Sequence, residues 1–195
     1  MRPEHHATLA RILPTYCPLT PLELAALLPH FQLRRIARKE FLLKSGAVCD
    51  FWGFVHCGLL RVYADTALGT EHTSWFVRED DFVTEYASFH YQRPSQENMV
   101  ALENTELLCV NHAQLEALYQ QSSAYERLGR RLYEKQLADL KQRILFRVRE
   151  APMARYQYLL THHAALVQRV PLKLLASYLG ITDSSLSRIR RQARQ

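Results

Sequence analysis

The chain has 195 residues, of which 48% are hydrophobic and 23% charged, a composition typical of a folded globular protein. Eight Pro and six Gly are too few for a disordered chain, and no apolar run approaches the roughly 20 residues that cross a bilayer. Because the first residues also lack the apolar segment of a signal peptide, we expect a cytoplasmic protein without membrane association.

The formal net charge of +6 is unevenly distributed along the chain. Residues 151–195 hold seven Lys or Arg and one Asp, which leaves eighteen basic and eighteen acidic residues in 1–150. A neutral body joined to a basic end is typical of a protein that binds a polyanion. A basic end that is merely solvated is the alternative, and only the pattern of the segment can exclude it.

The first 30 residues predict two helices, followed by a β domain. Thr20 with Pro21 and Glu23 forms a helix N-cap and capping box. From about Phe31 to His112, short runs rich in β-branched and aromatic residues end at turn residues every 8–12 positions or so. This pattern predicts a small β jelly roll, so the fold class is α+β.

The four cysteines show no spacing that matches a zinc or iron–sulfur ligand set. They are Cys17, Cys49, Cys57 and Cys109. We interpret them mostly as small packing residues, and we predict no cofactor.

A long helix from about Ser122 to Glu150 is predicted next, because apolar residues recur at helical spacing. It is longer than a cover for a small β domain requires, so we interpret it as a dimerisation helix of a homodimer. Gly129 within it suggests a close approach of two helices. The predicted interface consists of Leu128, Leu132, Leu137, Leu140, Ile144 and Val148. A helix folded back on its own sheet is the alternative.

Ala151-Pro152 ends this helix and marks a domain boundary. We predict a sensor domain over 1–121, the dimerisation helix over 122–150 and a DNA-binding domain over 151–195. Within the last, 153–165 is predicted to form one helix, with a short connection over 161–169.

A helix-turn-helix is predicted near the end of the chain. Leu175, Ala176 and Leu179 form the apolar face of one helix, Gly180 ends it, and Leu186 and Ile189 face inward on the next. Hydroxyl and guanidinium side chains on the outer face suit phosphates and guanine edges. The predicted DNA-binding residues are Lys173, Thr182, Asp183, Ser184, Ser185, Ser187, Arg188, Arg190 and Arg191, and Arg194 is a further phosphate contact.

Across nearly its whole length the chain resembles the Crp/Fnr family of bacterial transcription regulators. The resemblance rests on Gly46 and Gly58, on the segments 79–85 and 175–189, and on the long helix. It implies a cyclic-nucleotide-binding-type jelly roll, a parallel helix dimer and a winged helix-turn-helix that binds an inverted repeat of double-stranded DNA. It places the family's recognition arginine on Arg188. With four residues after Arg191, we expect no full C-terminal wing.

The chain departs from the family at two sites. Asp183 and Ser184 stand where the family usually has Arg and Glu, so we expect a different target sequence. In the cyclic-nucleotide phosphate segment, Thr84-Glu85 replaces Gly-Glu, and Glu97-Asn98 replaces Arg-Ser. Since a carboxylate repels an anion, we predict that cyclic AMP does not bind.

The family register implies a ligand pocket for an effector that the sequence does not identify. Its lining residues are Thr84, Glu85, Tyr86, Ser88, Glu97, Asn98 and Met99. A neutral or cationic effector would suit the two carboxylates. The alternative is a pocket filled by Trp75, Phe82 and Tyr86, in a protein without an effector.

Three functions of different class follow from these patterns. A DNA-binding regulator is favoured over a non-DNA sensor or scaffold, because the basic helix-turn-helix argues against the latter. A cupin-like enzyme is disfavoured, since the β region has no His-x-His pair. A haem branch of the family uses axial ligands, and the isolated His30, His56, His72 and His90 give no supporting spacing. We therefore predict no catalytic residues and no metal site.

Overall fold

In the computed structural model, residues 3–67 and 69–193 are described. The chain divides into two compact units, one of residues 1–62 and 76–135 and one of residues 63–75 and 136–195. Among the described residues, none of the helices has both the length and the apolar character that a bilayer span requires. The three predicted domains remain a prediction.

Two helices open the chain, as predicted: α1 (Pro3–Tyr16) and α2 (Pro21–Leu27), the latter followed by a 3₁₀ turn over Leu28–His30. Thr20 accepts a hydrogen bond from the backbone N–H of Glu23, and the Glu23 carboxylate accepts one from the backbone N–H of Thr20. The capping box is therefore present.

Eight strands and one short helix form the β-roll. They are β1 (Gln32–Ile36), β2 (Phe41–Leu43), β3 (Phe51–Cys57), β4 (Leu60–Asp65), β5 (Glu71–Val77), β6 (Phe82–Val83), α3 (Tyr86–Tyr91), β7 (Asn98–Ala101) and β8 (Thr105–Asn111). The strands form two four-stranded sheets, in the orders β1-β8-β3-β6 and β2-β7-β4-β5. Phe54, Leu107 and Leu108 are fully buried in the core. The predicted α+β jelly roll is confirmed.

Gly58 illustrates why the turns of the roll need glycine. Its φ of +105° lies in the left-handed region, and a Cβ there would lie 2.5 Å from the Thr105 hydroxyl oxygen.

Of the cysteines, Cys17, Cys49 and Cys109 are buried, and burial raises the pKa of Cys109 to about 12. Cys57 is exposed, so for this residue the packing interpretation was wrong.

Six helices follow: α4 (His112–Gln121), α5 (Ser123–Arg149), α6 (Pro152–His162), α7 (Ala164–Arg169), α8 (Leu172–Leu179) and α9 (Asp183–Gln192). The long helix α5 agrees with its predicted bounds. The helix predicted over 153–165 instead ends at His162, and α7 occupies most of the predicted connection. The close approach at Gly129 is to the Tyr119 side chain of the same chain, which leaves no space for a Cβ.

Candidate nucleic-acid interface

Helices α8 and α9 are joined by a tight turn at Gly180. This glycine has a φ of +68°, and the backbone N–H of Ile181 donates to the carbonyl of Ala176 at 3.1 Å. This hydrogen bond, together with a left-handed residue at the end of the helix, forms a Schellman-type C-terminus. Glycine adopts the left-handed conformation without steric cost, which explains why it occupies this position. The turn directs the chain into α9 after only three residues.

Thr182 begins α9 as its N-cap. Its side-chain oxygen accepts a hydrogen bond from the backbone N–H of Ser185 at 3.2 Å and lies 2.9 Å from the Ser185 hydroxyl and 3.0 Å from that of Ser184. The hydroxyls of Thr182 and Ser185 thus stabilise the start of the helix. Asp183 is exposed in the first turn, where the helix dipole favours a carboxylate.

One side of α9 is buried against the neighbouring helices. Leu186 and Ile189 are buried, as are Leu175, Ala176 and Leu179 of α8. Helix α6 contacts both α8 and α9. This small apolar core holds the two helices at a fixed angle, as a helix-turn-helix requires.

The opposite side of α9 carries polar and basic side chains. At about 100° per residue, four exposed residues lie on the side away from Leu186 and Ile189. We call them the recognition face: Ser184, Ser187, Arg188 and Arg191. Of the other predicted DNA contacts, Arg190 is partly buried beside this face and Lys173 is exposed on α8, whereas Arg194 lies outside the described residues.

A contact within the same compact unit was missed by sequence reasoning. Ser177 of α8 donates a hydrogen bond to the carbonyl of Glu71 at 3.0 Å and accepts one from the backbone N–H of Thr73 at 2.9 Å. Arg143 of α5 lies 4.5 Å from the Trp75 ring and 4.3 Å from the Tyr178 ring. The β4–β5 hairpin therefore contacts the first helix of the helix-turn-helix. No local pattern in the sequence signals this contact.

In the predicted ligand pocket, polar side chains form hydrogen bonds within the protein instead of being exposed like those of the recognition face. The Glu85 carboxylate caps α3 and accepts hydrogen bonds from the backbone N–H groups of Ala87 and Ser88 at 3.1 and 2.7 Å. Buried Ser88 accepts from the N–H of Cys49 at 2.8 Å and donates to the carbonyl of Arg93. The side-chain oxygens of Glu85 and Ser88 therefore already form hydrogen bonds with backbone groups of the protein.

Two further predicted pocket residues, Thr84 and Asn98, also form hydrogen bonds with the backbone of their own domain, and the backbone N–H of Glu97 donates to the Ser95 hydroxyl at 3.0 Å. Thr84 donates to the carbonyl of Phe51 at 2.9 Å, and the Asn98 side-chain oxygen accepts from the backbone N–H of Ser45 at 3.0 Å. Met99 is fully buried, and the Tyr86 ring contacts that of Tyr133.

Two cavities in this unit lie away from the predicted pocket residues. One apolar cavity of about 30 Å³ is lined by core residues that include Trp52, Phe82 and Tyr119. A second, open cavity of about 320 Å³ is lined by residues that include Arg34, Lys44 and Asp50. Neither is lined by any of the predicted pocket residues.

Residues 33–122 match the family model of the cyclic nucleotide-binding domain. This segment is similar to that family over 90 of the 195 residues of the chain. No curated protein matches the sequence significantly.

Most of the chain is similar in fold to solved structures of transcription regulators. FixK2 from Bradyrhizobium japonicum is 16% identical, with a TM-score of 0.73 and coverage of 84% of each chain. A putative Crp/Fnr-family regulator from Eubacterium rectale is 15% identical, with a TM-score of 0.71 and coverage of 92% of this chain and 88% of that one. The c-di-GMP-responsive regulator CLP from Xanthomonas campestris is 18% identical, with a TM-score of 0.68 and coverage of 90% and 92%.

Helix α5, which begins directly after the matched segment 33–122, changes its environment along its length. Leu128 and Leu132 are buried within their own chain, so little of either side chain is exposed for contact with a second copy. The other predicted interface residues are exposed: Leu137 by 67%, Leu140 by 47%, Ile144 by 54% and Val148 by 77%. Leu145, which was not predicted, is 48% exposed.

Proposed function

We propose that the chain is a transcription regulator that binds double-stranded DNA through the recognition face of α9. The observation that carries this proposal is the exposure of Ser184, Ser187, Arg188 and Arg191 on one side of a helix whose other side is buried. Arginine is the side chain best suited to bind guanine in the major groove, and serine hydroxyls bind phosphates or base edges.

The charge distribution supports the same proposal. The surplus of basic residues lies in 151–195, and it includes Lys173 and the arginines of α9. A solvated basic tail without structure would not place its arginines opposite a buried apolar stripe. The pattern of this segment thus favours a DNA-binding function over a solvated basic tail.

We further propose that the regulator is a homodimer joined through α5. Leu137, Leu140, Ile144 and Val148 follow one another at spacings of three, four and four, which aligns them along one side of the helix. Such a stripe fits a second copy of the same helix in a coiled-coil seam. Two-fold symmetry would then present two copies of α9 to an inverted repeat.

Cyclic AMP is not the effector in this proposal. Glu85, which would face the ligand in the family register, is engaged in capping α3, and Glu97 stands where the family has its phosphate-binding Arg. Arg93, the nearest basic residue in sequence, lies over the Tyr91 ring at 4.9 Å. Calorimetry with cyclic AMP should detect no heat of specific binding, whereas saturable micromolar binding would contradict the proposal that cyclic AMP is not the effector.

A mass-spectrometric search for a co-purified neutral or cationic molecule would test for another effector.

The DNA proposal is tested by selecting a preferred duplex and titrating its affinity with salt. Binding to phosphates should give a linear fall of log K with log salt, with a slope of about −0.9 per phosphate neutralised. Arg38→Ala, which removes one exposed charge from the β-roll, serves as the control and should leave the slope unchanged. A salt-independent affinity, or no sequence preference, would favour the non-DNA sensor or scaffold.

We also propose that the chain acts in the cytoplasm and is not an enzyme. The support is that several solved structures of similar fold are transcription regulators. The cupin-like alternative needs metal ligands converging inside the β-roll. Of the two histidines that converge with a carboxylate, His5 and His56, the first belongs to α1 rather than to a strand.

A further inference from the structure

Three potential metal ligands from distant parts of the sequence meet in the first compact unit. They are His5 of α1, His56 of β3 and Glu106 of β8, roughly fifty residues apart from one to the next. One ligand atom from each lies within 4.8 Å of the others. His5 Nε2 lies 3.0 Å from Glu106 Oε2, and the rings of His5 and His56 lie edge to face with centroids 4.7 Å apart.

A β-bulge places His56 in this cluster. In the β3–β8 pairing, Val55 lies opposite Leu107 and Cys57 lies opposite Glu106, so His56 is an extra residue without a partner in the ladder. A bulge redirects the side chain of the inserted residue, and bulges are common beside functional sites. The side chain of His56 thereby lies beside the position of Glu106.

Arg35 fixes the carboxylate of Glu106. The two residues are paired across β1 and β8, and Arg35 Nε donates to Glu106 Oε1 at 2.8 Å. The second oxygen, Oε2, is therefore directed to His5. Outer residues that orient a ligand in this way are a regular part of metal sites.

The environment of the imidazole nitrogens also points to a ligand. His5 is only 1% exposed. His56 Nδ1 is shielded from solvent and has no hydrogen-bond partner among the described residues. A buried polar nitrogen without a partner is destabilising, and such groups in native structures often reflect an ion or a water.

We propose that His5, His56 and Glu106 bind a divalent transition-metal ion that joins α1 to the β-roll. Two imidazole nitrogens and one carboxylate oxygen suit Zn²⁺, Fe²⁺ or Ni²⁺. With bonds of about 2.0–2.2 Å, ligand atoms of a tetrahedral site lie roughly 3.4 Å apart, so side-chain movements of about an ångström close the site. The partial exposure of His56 and Glu106 leaves one side open for a fourth ligand.

Metal binding at this site does not depend on the proposed DNA function, since all three ligands lie in the first compact unit. If the chain is a regulator, the metal would be an input to its sensor domain. The two properties are measured separately, so either can fail without the other.

The test uses the full chain after removal of metal by a chelator, with Zn²⁺ and Co²⁺ as probes. We expect one Zn²⁺ per chain by calorimetry, a higher melting temperature on binding, and Co²⁺ absorption without a thiolate charge-transfer band. The variants are His5→Gln, His56→Gln and Glu106→Gln. Because loss of an outer-shell partner alone weakens metal binding by about 10–100-fold, each should lose at least about tenfold in affinity.

Two control variants make the outcome decisive. Cys57→Ser removes an exposed thiol next to His56, and His90→Gln removes an exposed histidine outside the cluster. Both should bind Zn²⁺ like the unchanged protein. The proposal is overturned if the unchanged chain does not bind, if Cys57→Ser loses binding, or if His56→Gln retains it. Circular dichroism without metal checks folding, and partly exposed His56 remains a valid test even if His5→Gln unfolds.

Discussion

The recognition face of α9 and the segment from Thr84 to Met99 look alike in sequence, because both are rich in small polar and charged side chains, but they differ in structure. Ser187, Arg188 and Arg191 are exposed to solvent. Glu85 and Ser88 instead form hydrogen bonds with the backbone of their own domain. Hydrogen-bonding groups that the protein has already engaged are not available to a ligand without a loss of stability.

This difference separates two kinds of substitution. On the recognition face, a change should weaken DNA binding and leave the free energy of unfolding nearly unchanged. In the segment from Thr84 to Met99, a change should lower the free energy of unfolding and leave DNA binding unchanged. Helix α5 is a further case, since in the proposed dimer it would determine whether two recognition faces act together.

The largest effect is expected from Leu140→Asp combined with Ile144→Asp. Burial of one Leu or Ile side chain contributes about 1.5–3 kcal/mol, and each of the two occurs twice in a dimer. Sedimentation should show a monomer, and binding to an inverted repeat should be lost. Ala138→Asp with Gln142→Asp places the same charges on the opposite side of α5 and should leave the dimer intact. A stable dimer of the first variant would contradict the seam.

Arg188→Ala should lower DNA affinity by about 1–3 kcal/mol and relax specificity at one base pair, because a bidentate contact to guanine is lost. Competition binding with single-base variants of the selected duplex measures this. Thermal melting should be unchanged, since Arg188 is exposed. If the loss is equal on all sequences, Arg188 contacts a phosphate instead.

Sequence periodicity predicted the regular elements well, because each depends on local spacing. The bounds of α5, the capping box at Thr20 and the turn at Gly180 agree with the structure. The same periodicity could not show that Leu128 and Leu132 are buried within the chain while Leu137 is exposed. An apolar residue at helical spacing has the same sequence pattern whether it packs against its own chain or lies on the surface.

Features built from several elements were not predictable from one sequence. The cluster of His5, His56 and Glu106 depends on a helix, two strands and a bulge, so no spacing rule could indicate it. The contact of Ser177 with the β4–β5 hairpin joins residues more than a hundred positions apart. The prediction of no metal site rested on ligand spacing, which is informative only when the ligands lie near one another in sequence.

Glu85→Ala should lower the free energy of unfolding by about 0.5–2 kcal/mol, because α3 loses the side chain that accepts from its first N–H groups. Urea unfolding measures the change. Glu85→Gln keeps an acceptor oxygen and should retain most of the stability. DNA affinity should be the same for both. A loss of DNA binding without a loss of stability would indicate that Glu85 belongs to a functional pocket.

The smallest effect is expected from Glu106→Gln in the presence of a chelator. Hydrogen bonds from Arg35 and then from His5 lower the pKa of Glu106 in the folded protein. A carboxyl whose folded pKa is lowered contributes stability above its unfolded pKa of about 4.3, and the contribution is lost as the pH falls through the folded pKa. Because the group is 26% exposed, the variant should be less stable by about 0.5–1 kcal/mol at neutral pH. Urea unfolding at neutral and acidic pH should show this difference shrinking in acid, and a difference that persists there would assign the loss to packing rather than to charge.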